Sequence, residues 1–184
     1  MSDTHSLPGG PKWRGVNHLA LVTNDMDATT RFYTGVLGMP LVSTLMAGPM
    51  RHYFFEIGTG NTVAFFEIPD AEMFPKVAGR PGPYPTQLDH ISFDVADRAE
   101  LHALRARLEA AECEVTGIVD HGSIQSVYFS DNNGIALEAT YWESDPTSGE
   151  PDYSGPHFTD PDPVPAIGEL ANGSIGSIPR TRLA

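Results

Sequence analysis

Two stretches of this chain repeat one plan, and any fold must accommodate both copies. The first runs from Val16-Asn17-His18-Leu19-Ala20-Leu21-Val22 to Val63-Ala64-Phe65-Phe66-Glu67. The second runs from Leu88-Asp89-His90-Ile91-Ser92-Phe93-Asp94-Val95 to Ile135-Ala136-Leu137-Glu138. Each opens with a histidine on an alternating, β-rich run and closes with a glutamate on another. Glu67 follows His18 by 49 residues, and Glu138 follows His90 by 48. A duplicated module that returns the same two ligand-type side chains points to a metal site between the copies.

The segments between these landmarks follow one order. Arg14–Thr23 alternates and is expected to be a strand. Asn24 or Asp25 can cap a helix reaching Val36, where Met26, Thr29, Phe32, Tyr33 and Val36 recur at helical spacing. Gly38 and Pro40 end it. Leu41–Leu45, Met50–Ile57 and Thr62–Ile68 are then predicted strands, with Gly58-Thr59-Gly60-Asn61 turning between the last two. After a proline-rich connector the order returns: strand Gln87–Val95, helix 98–111 with Leu101, Leu104, Leu108 and Ala111 on one face, then strands Glu114–Val119, Ser123–Ser130 and Ile135–Trp142. Asp131-Asn132-Asn133-Gly134 is the last turn.

This gives an α+β fold of two tandem βαβββ modules. Residues 1–13 are expected to be a flexible lead, 14–68 module one, 69–86 a linker and 87–142 module two. Residues 143–184 form a tail rich in proline, glycine and aspartate, with no sustained period. The net charge of −13 argues against nucleic acid or anionic membranes as partners. Cys113 is the only cysteine, so no internal disulfide and no thiolate-rich metal site can form. No signal segment or membrane span is visible, and a reducing cytoplasm is the expected location.

Side chains alternate faces along a strand, so His18 is expected to share a face with Val16, Ala20 and Val22, and His90 with Leu88, Ser92 and Asp94. Glu67 goes with Val63 and Phe65, and Glu138 with Ala136 and Thr140. A carboxylate among apolar neighbours is costly unless paired or coordinated. Two imidazoles with one or two carboxylates suit Fe(II), Mn(II), Ni(II), Co(II) or Zn(II).

On these residues the chain resembles the vicinal oxygen chelate superfamily, the glyoxalase, bleomycin-resistance and type I extradiol dioxygenase group, over residues 14–142. The resemblance implies curled sheets around a metal held by His18, His90 and Glu138, with Glu67 in a fourth position. Phe32-Tyr33-Thr34-Gly35-Val36-Leu37-Gly38-Met39 is similar to the helix end of glyoxalase-type modules. Val119-Asp120-His121, Val127-Tyr128, Asp131, Gly134 and Glu138 match the extradiol signature, departing only at Asn132 where that pattern has proline. There Tyr128 would orient a catecholate and His121 would line the pocket.

Module one carries the opposing evidence. The acid–base histidine usual on its last strand in extradiol enzymes is missing from Thr62–Ile68, and Glu67 stands there instead. That favours a four-ligand glyoxalase-like site, in which a carboxylate, Glu138 or Glu67, removes a proton beside a carbonyl. His52, on the neighbouring strand, is the candidate replacement acid–base group, against the alternative of a solvent-facing histidine. The expected activity is that of a mononuclear metalloenzyme whose small substrate chelates through vicinal oxygens. It leans to an extradiol-type dioxygenase with Fe(II) or Mn(II). The alternatives are a glyoxalase-like lyase or isomerase using Ni(II), Co(II) or Zn(II), and a metal-free ligand-sequestering resistance protein. Family habit adds a homodimer.

Overall fold

The computed structural model describes residues 10–80 and 87–176. Parts of the expected lead, linker and tail, namely 1–9, 81–86 and 177–184, lie outside the described residues. One compact unit spans Trp13–Ser144 and holds both modules.

Module one runs β1 (His18–Thr23), α1 (Met26–Thr30), a wider π-helical turn (Arg31–Val36), β2 (Leu41–Ala47), β3 (Met50–Gly58) and β4 (Asn61–Glu67). Module two runs β5 (Ile91–Asp94), α2 (Arg98–Ala110), β6 (Val119–Asp120), β7 (Ile124–Ser130) and β8 (Ala136–Trp142). The strand orders are β1-β4-β3-β2 and β5-β8-β7-β6, the same arrangement twice. In each sheet the first strand runs parallel to the last and the remaining pairs are antiparallel.

Local chemistry sets the helix starts. Asp25 accepts from the Ala28 amide at 2.9 Å, and Asp97 from those of Ala99 and Glu100 at 2.8 and 3.0 Å. Each cap satisfies amides that have no partner inside the helix. Alternation along the strands then sends Phe55, Val63 and Phe65 of module one, and Val127 and Leu137 of module two, to a common buried core with Tyr33, Leu101 and Leu108. Burying each such side chain stabilises the fold by roughly 1.5–3 kcal/mol.

Polar contacts also join the modules. The Tyr33 hydroxyl donates to Asp131 Oδ2 at 3.1 Å, Thr23 Oγ1 to Asn133 Oδ1 at 2.8 Å, and Asn132 Nδ2 to Thr29 Oγ1 at 3.0 Å. Burial raises the Asp131 carboxyl above its ordinary value, against the pull of the Ile135 and Asn133 amides and Tyr33. The same burial, with Asp131 beside it, pushes the Tyr33 hydroxyl well up. Arg107 of α2 donates to the Gly35 carbonyl at 2.8 Å and also to that of Val36. The π-helical turn presents these carbonyls at the end of the first helix.

The structure departs from the sequence expectation in three places. The strand expected over Glu114–Val119 is only a bridge from Val115 to Phe129 followed by the two-residue β6. Between them Thr116 anchors the chain, accepting from the Tyr128 amide and donating its own to the Tyr128 carbonyl. β1 and β5 are shorter than expected, so His90 stands just before its strand. The tail holds a helix, α3 (Pro165–Asn172), with proline at its first turn and left-handed Gly173 closing it. Among the described residues, no helix is long and apolar enough to cross a membrane.

Candidate metal centre

Strand register decides which groups meet. In module two Ser92 pairs with Glu138, which pairs in turn with Tyr128. His90 lies two residues before Ser92 and sends Nε2 to within 3.0 Å of Glu138 Oε2. Glu138 is only 4 % exposed. Burial alone would raise its carboxyl, but the hydroxyls of Ser126, Tyr128 and Ser92 and the His90 ring outweigh it and hold the group below its ordinary value. Its Oε1 is buried with no hydrogen bond among the described residues. The Tyr128 hydroxyl sits 2.9 Å from His121 Nε2, and its ring meets the His90 ring edge-on with centroids 6.0 Å apart. Four sequence-chosen residues, His90, His121, Tyr128 and Glu138, therefore gather on one face.

Module one presents a different surface. Ala20 pairs with Ala64 and Ala64 with Phe54; on the next rung Val22 pairs with Phe66 and Phe66 with His52. His18 shares this face. His52 stacks on Phe66 at 3.7 Å, and His18 approaches it with centroids 6.4 Å apart. His52 Nε2 is buried and has no hydrogen bond among the described residues. Burial first, and then His18, holds His52 below the ordinary histidine value. The ring is half-buried, with Nε2 shielded from solvent.

Glu67 goes elsewhere. It pairs with Thr23 in β1, three residues beyond Ala64, and so faces away from His18. There it accepts from the Met26 amide at 2.9 Å and pairs with Arg51. The Met26 amide, with help from Arg51, lowers its carboxyl. Glu67 thus serves the start of α1, where a negative charge is favourable. Among the described residues no three His, Cys, Asp or Glu side chains converge as a metal-holding group; His90 and Glu138 form a pair, with His18 on the other module. Sequence reasoning missed Ser126, whose place beside Glu138 follows from the even spacing of Ser126 and Tyr128 on β7.

The geometry defines a class: paired βαβββ modules with a histidine at the head of each first strand and a buried carboxylate on the last. Residues 15–139 match the Glyoxalase/Bleomycin resistance protein/Dioxygenase superfamily, and the chain belongs to it. A glyoxylase/bleomycin resistance protein/dioxygenase domain from Frankia sp. EAN1pec is 26 % identical, with a TM-score of 0.61 over 72 % of this chain and 100 % of that one. Lactoylglutathione lyase from Agrobacterium tumefaciens is 25 % identical, with a TM-score of 0.51 over 69 % and 92 %. The fosfomycin resistance protein FosX from Mesorhizobium loti, 21 % identical with a TM-score of 0.51 over 69 % and 90 %, shares the fold. No curated protein matches the chain.

Proposed function

We propose that the protein is a mononuclear metal-dependent enzyme of the extradiol dioxygenase type, with His18, His90 and Glu138 as ligands. The observation that carries this reading is the cluster of His90, Glu138, Tyr128 and His121, with a buried carboxylate oxygen, Glu138 Oε1, that has no hydrogen bond among the described residues. An orphaned anionic oxygen beside an imidazole suits a divalent cation. A 2-His-1-carboxylate set leaves coordination positions open for a chelating diol and O₂, favouring Fe(II) or Mn(II). Glu67 on the far face weakens the four-ligand alternative.

The chain's own groups then divide the work. The Tyr128–His121 pair can hold one oxygen of a diol by hydrogen bonding. His52, whose Nε2 has no hydrogen bond among the described residues and whose basicity is lowered by burial, can accept the proton of a hydroxyl brought to its face. Phe54 and Phe66 exclude water around it. Because His18 stands apart from the His90–Glu138 pair, we propose that a second copy supplies it in a homodimer. Both β1 and β5 are sheet edges with one strand neighbour each, which leaves room for that meeting.

Anaerobic metal analysis followed by catechol addition tests the reading. One equivalent of iron or manganese with catechol-dependent oxygen uptake is expected. Bound nickel, zinc or cobalt without uptake would instead favour glyoxalase-type proton abstraction, and no metal after reconstitution would leave a binding protein. Mixing His18→Ala with Glu138→Ala chains tests the shared site: heterodimers should recover one intact centre, and no recovery would remove the two-chain arrangement.

A further inference from the structure

In both modules the residue before the histidine grips the nitrogen that points away from the proposed metal. Asn17 Oδ1 lies 2.8 Å from His18 Nδ1, and Asp89 Oδ2 lies 2.6 Å from His90 Nδ1. An acceptor at Nδ1 keeps the proton there and leaves the Nε2 lone pair available to a cation. The two grips are chemically unequal, since one is a neutral amide and the other a carboxylate.

The carboxylate is itself held. Asp89 Oδ1 takes the Lys76 ammonium at 2.6 Å, and Oδ2 takes the Gly79 amide at 2.8 Å. The Lys76 side chain is only 10 % exposed, unusual for a lysine, and its backbone amide donates to the Gly134 carbonyl at 3.1 Å. Gly134 has φ 80°, and a Cβ there would lie 3.0 Å from the Phe74 carbonyl oxygen and Pro75 Cα. The described part of the linker is thus seated on module two, with Lys76 and Gly79 against the carboxylate that grips His90.

We propose that Asp89 is a positioning residue that fixes His90 with Nε2 toward Glu138, and that Lys76 and Gly79 of the inter-module linker hold Asp89 in place for that task. This rests on the reading of His90 as a ligand. It makes His90 the better-oriented histidine, and His18, gripped by a neutral amide, the less firmly held one. The linker is then part of the metal site's support as well as a connector.

Zinc affinity of the full-length protein, measured by chelator competition, tests this. Asp89→Ala should lose about 10- to 100-fold in affinity. Asp89→Asn, which keeps an acceptor, should recover part of it, Lys76→Met should lose less than Asp89→Ala, and Asn17→Ala should lose least. In long-range ¹H–¹⁵N spectra of the zinc-loaded wild type, the His90 Nδ1 proton should be slow to exchange, and in Asp89→Asn it should exchange faster. Asp89→Ala with wild-type affinity, while His90→Ala binds no zinc, would overturn the positioning role alone. Unchanged affinity in His90→Ala would overturn the ligand reading beneath it. Should Asp89→Ala not fold, Asp89→Asn and Lys76→Met carry the test, and wild-type affinity in both overturns the proposal.

Discussion

In module two the rung across β5, β8 and β7 reads Ser92–Glu138–Tyr128; in module one the same rung reads Ala20–Ala64–Phe54. The backbones repeat, and every polar group of the first set is replaced by an apolar one in the second. The next rung keeps the contrast, with Val22, Phe66 and His52 in module one where module two has Asp94, Thr140 and Ser126. One copy has kept an anionic, hydroxyl-rich face, and the other an aromatic face with an imidazole whose Nε2 has no hydrogen bond among the described residues. Duplication supplied two scaffolds, and their faces have taken complementary chemistry.

The largest expected effect separates the two glutamates. Glu138→Gln should reduce zinc affinity at least about 100-fold, since it removes a charged ligand, whereas Glu67→Gln should stay within about twofold. Equal losses would erase the distinction between the faces. Next come the turns. Asp131→Ala leaves the Tyr33 hydroxyl and the Asn133 and Ile135 amides without their acceptor, and should cost about 2–3 kcal/mol in urea unfolding. Asn61→Ala in the corresponding turn of module one removes an exposed contact to Thr59 and should stay within about 0.5 kcal/mol. A comparable cost at both turns would show that the modules are joined mainly by their apolar core.

Tyr128→Phe turns the module-two rung toward its module-one counterpart. Turnover of a chelating substrate should fall about tenfold, with zinc affinity nearly unchanged, because one hydrogen bond to a developing charge is lost. An unaffected rate would reduce Tyr128 to packing. Smaller again, Glu67→Gln should lower stability by about 1 kcal/mol through the start of α1.

The smallest effect is a pair of opposite slopes with pH. Lys76, the His90 ring and the Gly79 amide hold Asp89 well below its ordinary value of 3.8, so the stability it contributes is present above that pH and lost as pH falls. Asp131 is raised above 3.8, so its contribution is present below that pH and lost as pH rises through its folded value. Urea midpoints between about pH 3 and 6 should therefore show a flatter acid limb in Asp89→Asn and a steeper one in Asp131→Asn. Parallel limbs would contradict both assignments.

The succession of elements, the helix caps and the module plan were legible because each is written in local alternation and capping residues. His90 and Glu138 could be picked out from the repeat, and Tyr128 and His121 from the resemblance to the extradiol signature; that they lie together depends on the register across β5, β8 and β7. Glu67 shows where that reading needed register. The near-equal counts of 49 and 48 hide this: Ala64 stands at the rung of Glu138, and Glu67 lies three residues further on, an odd step that reverses the face. Apolar neighbours Val63 and Phe65 already placed Glu67 on the core side, but its true partners, the Met26 amide and Arg51, lie on other elements and leave no periodic trace. The grips of Lys76 and Gly79 on Asp89 are invisible for that reason too. The helix Pro165–Asn172 escaped notice because surrounding prolines and glycines obscured one short run.

The Tyr33–Asp131 contact has a consequence for self-recognition. Two near-copies of one unit could assemble like with like, which would leave both kinds of face misplaced. Tyr33 of module one finds its acceptor in the Asp131 turn, whereas the matching turn of module one, Gly58-Thr59-Gly60-Asn61, carries no carboxylate and α2 carries no tyrosine. Each half is therefore a lock cut for the other half's key, and a pairing of identical halves would strand the hydroxyl or the acid inside the join.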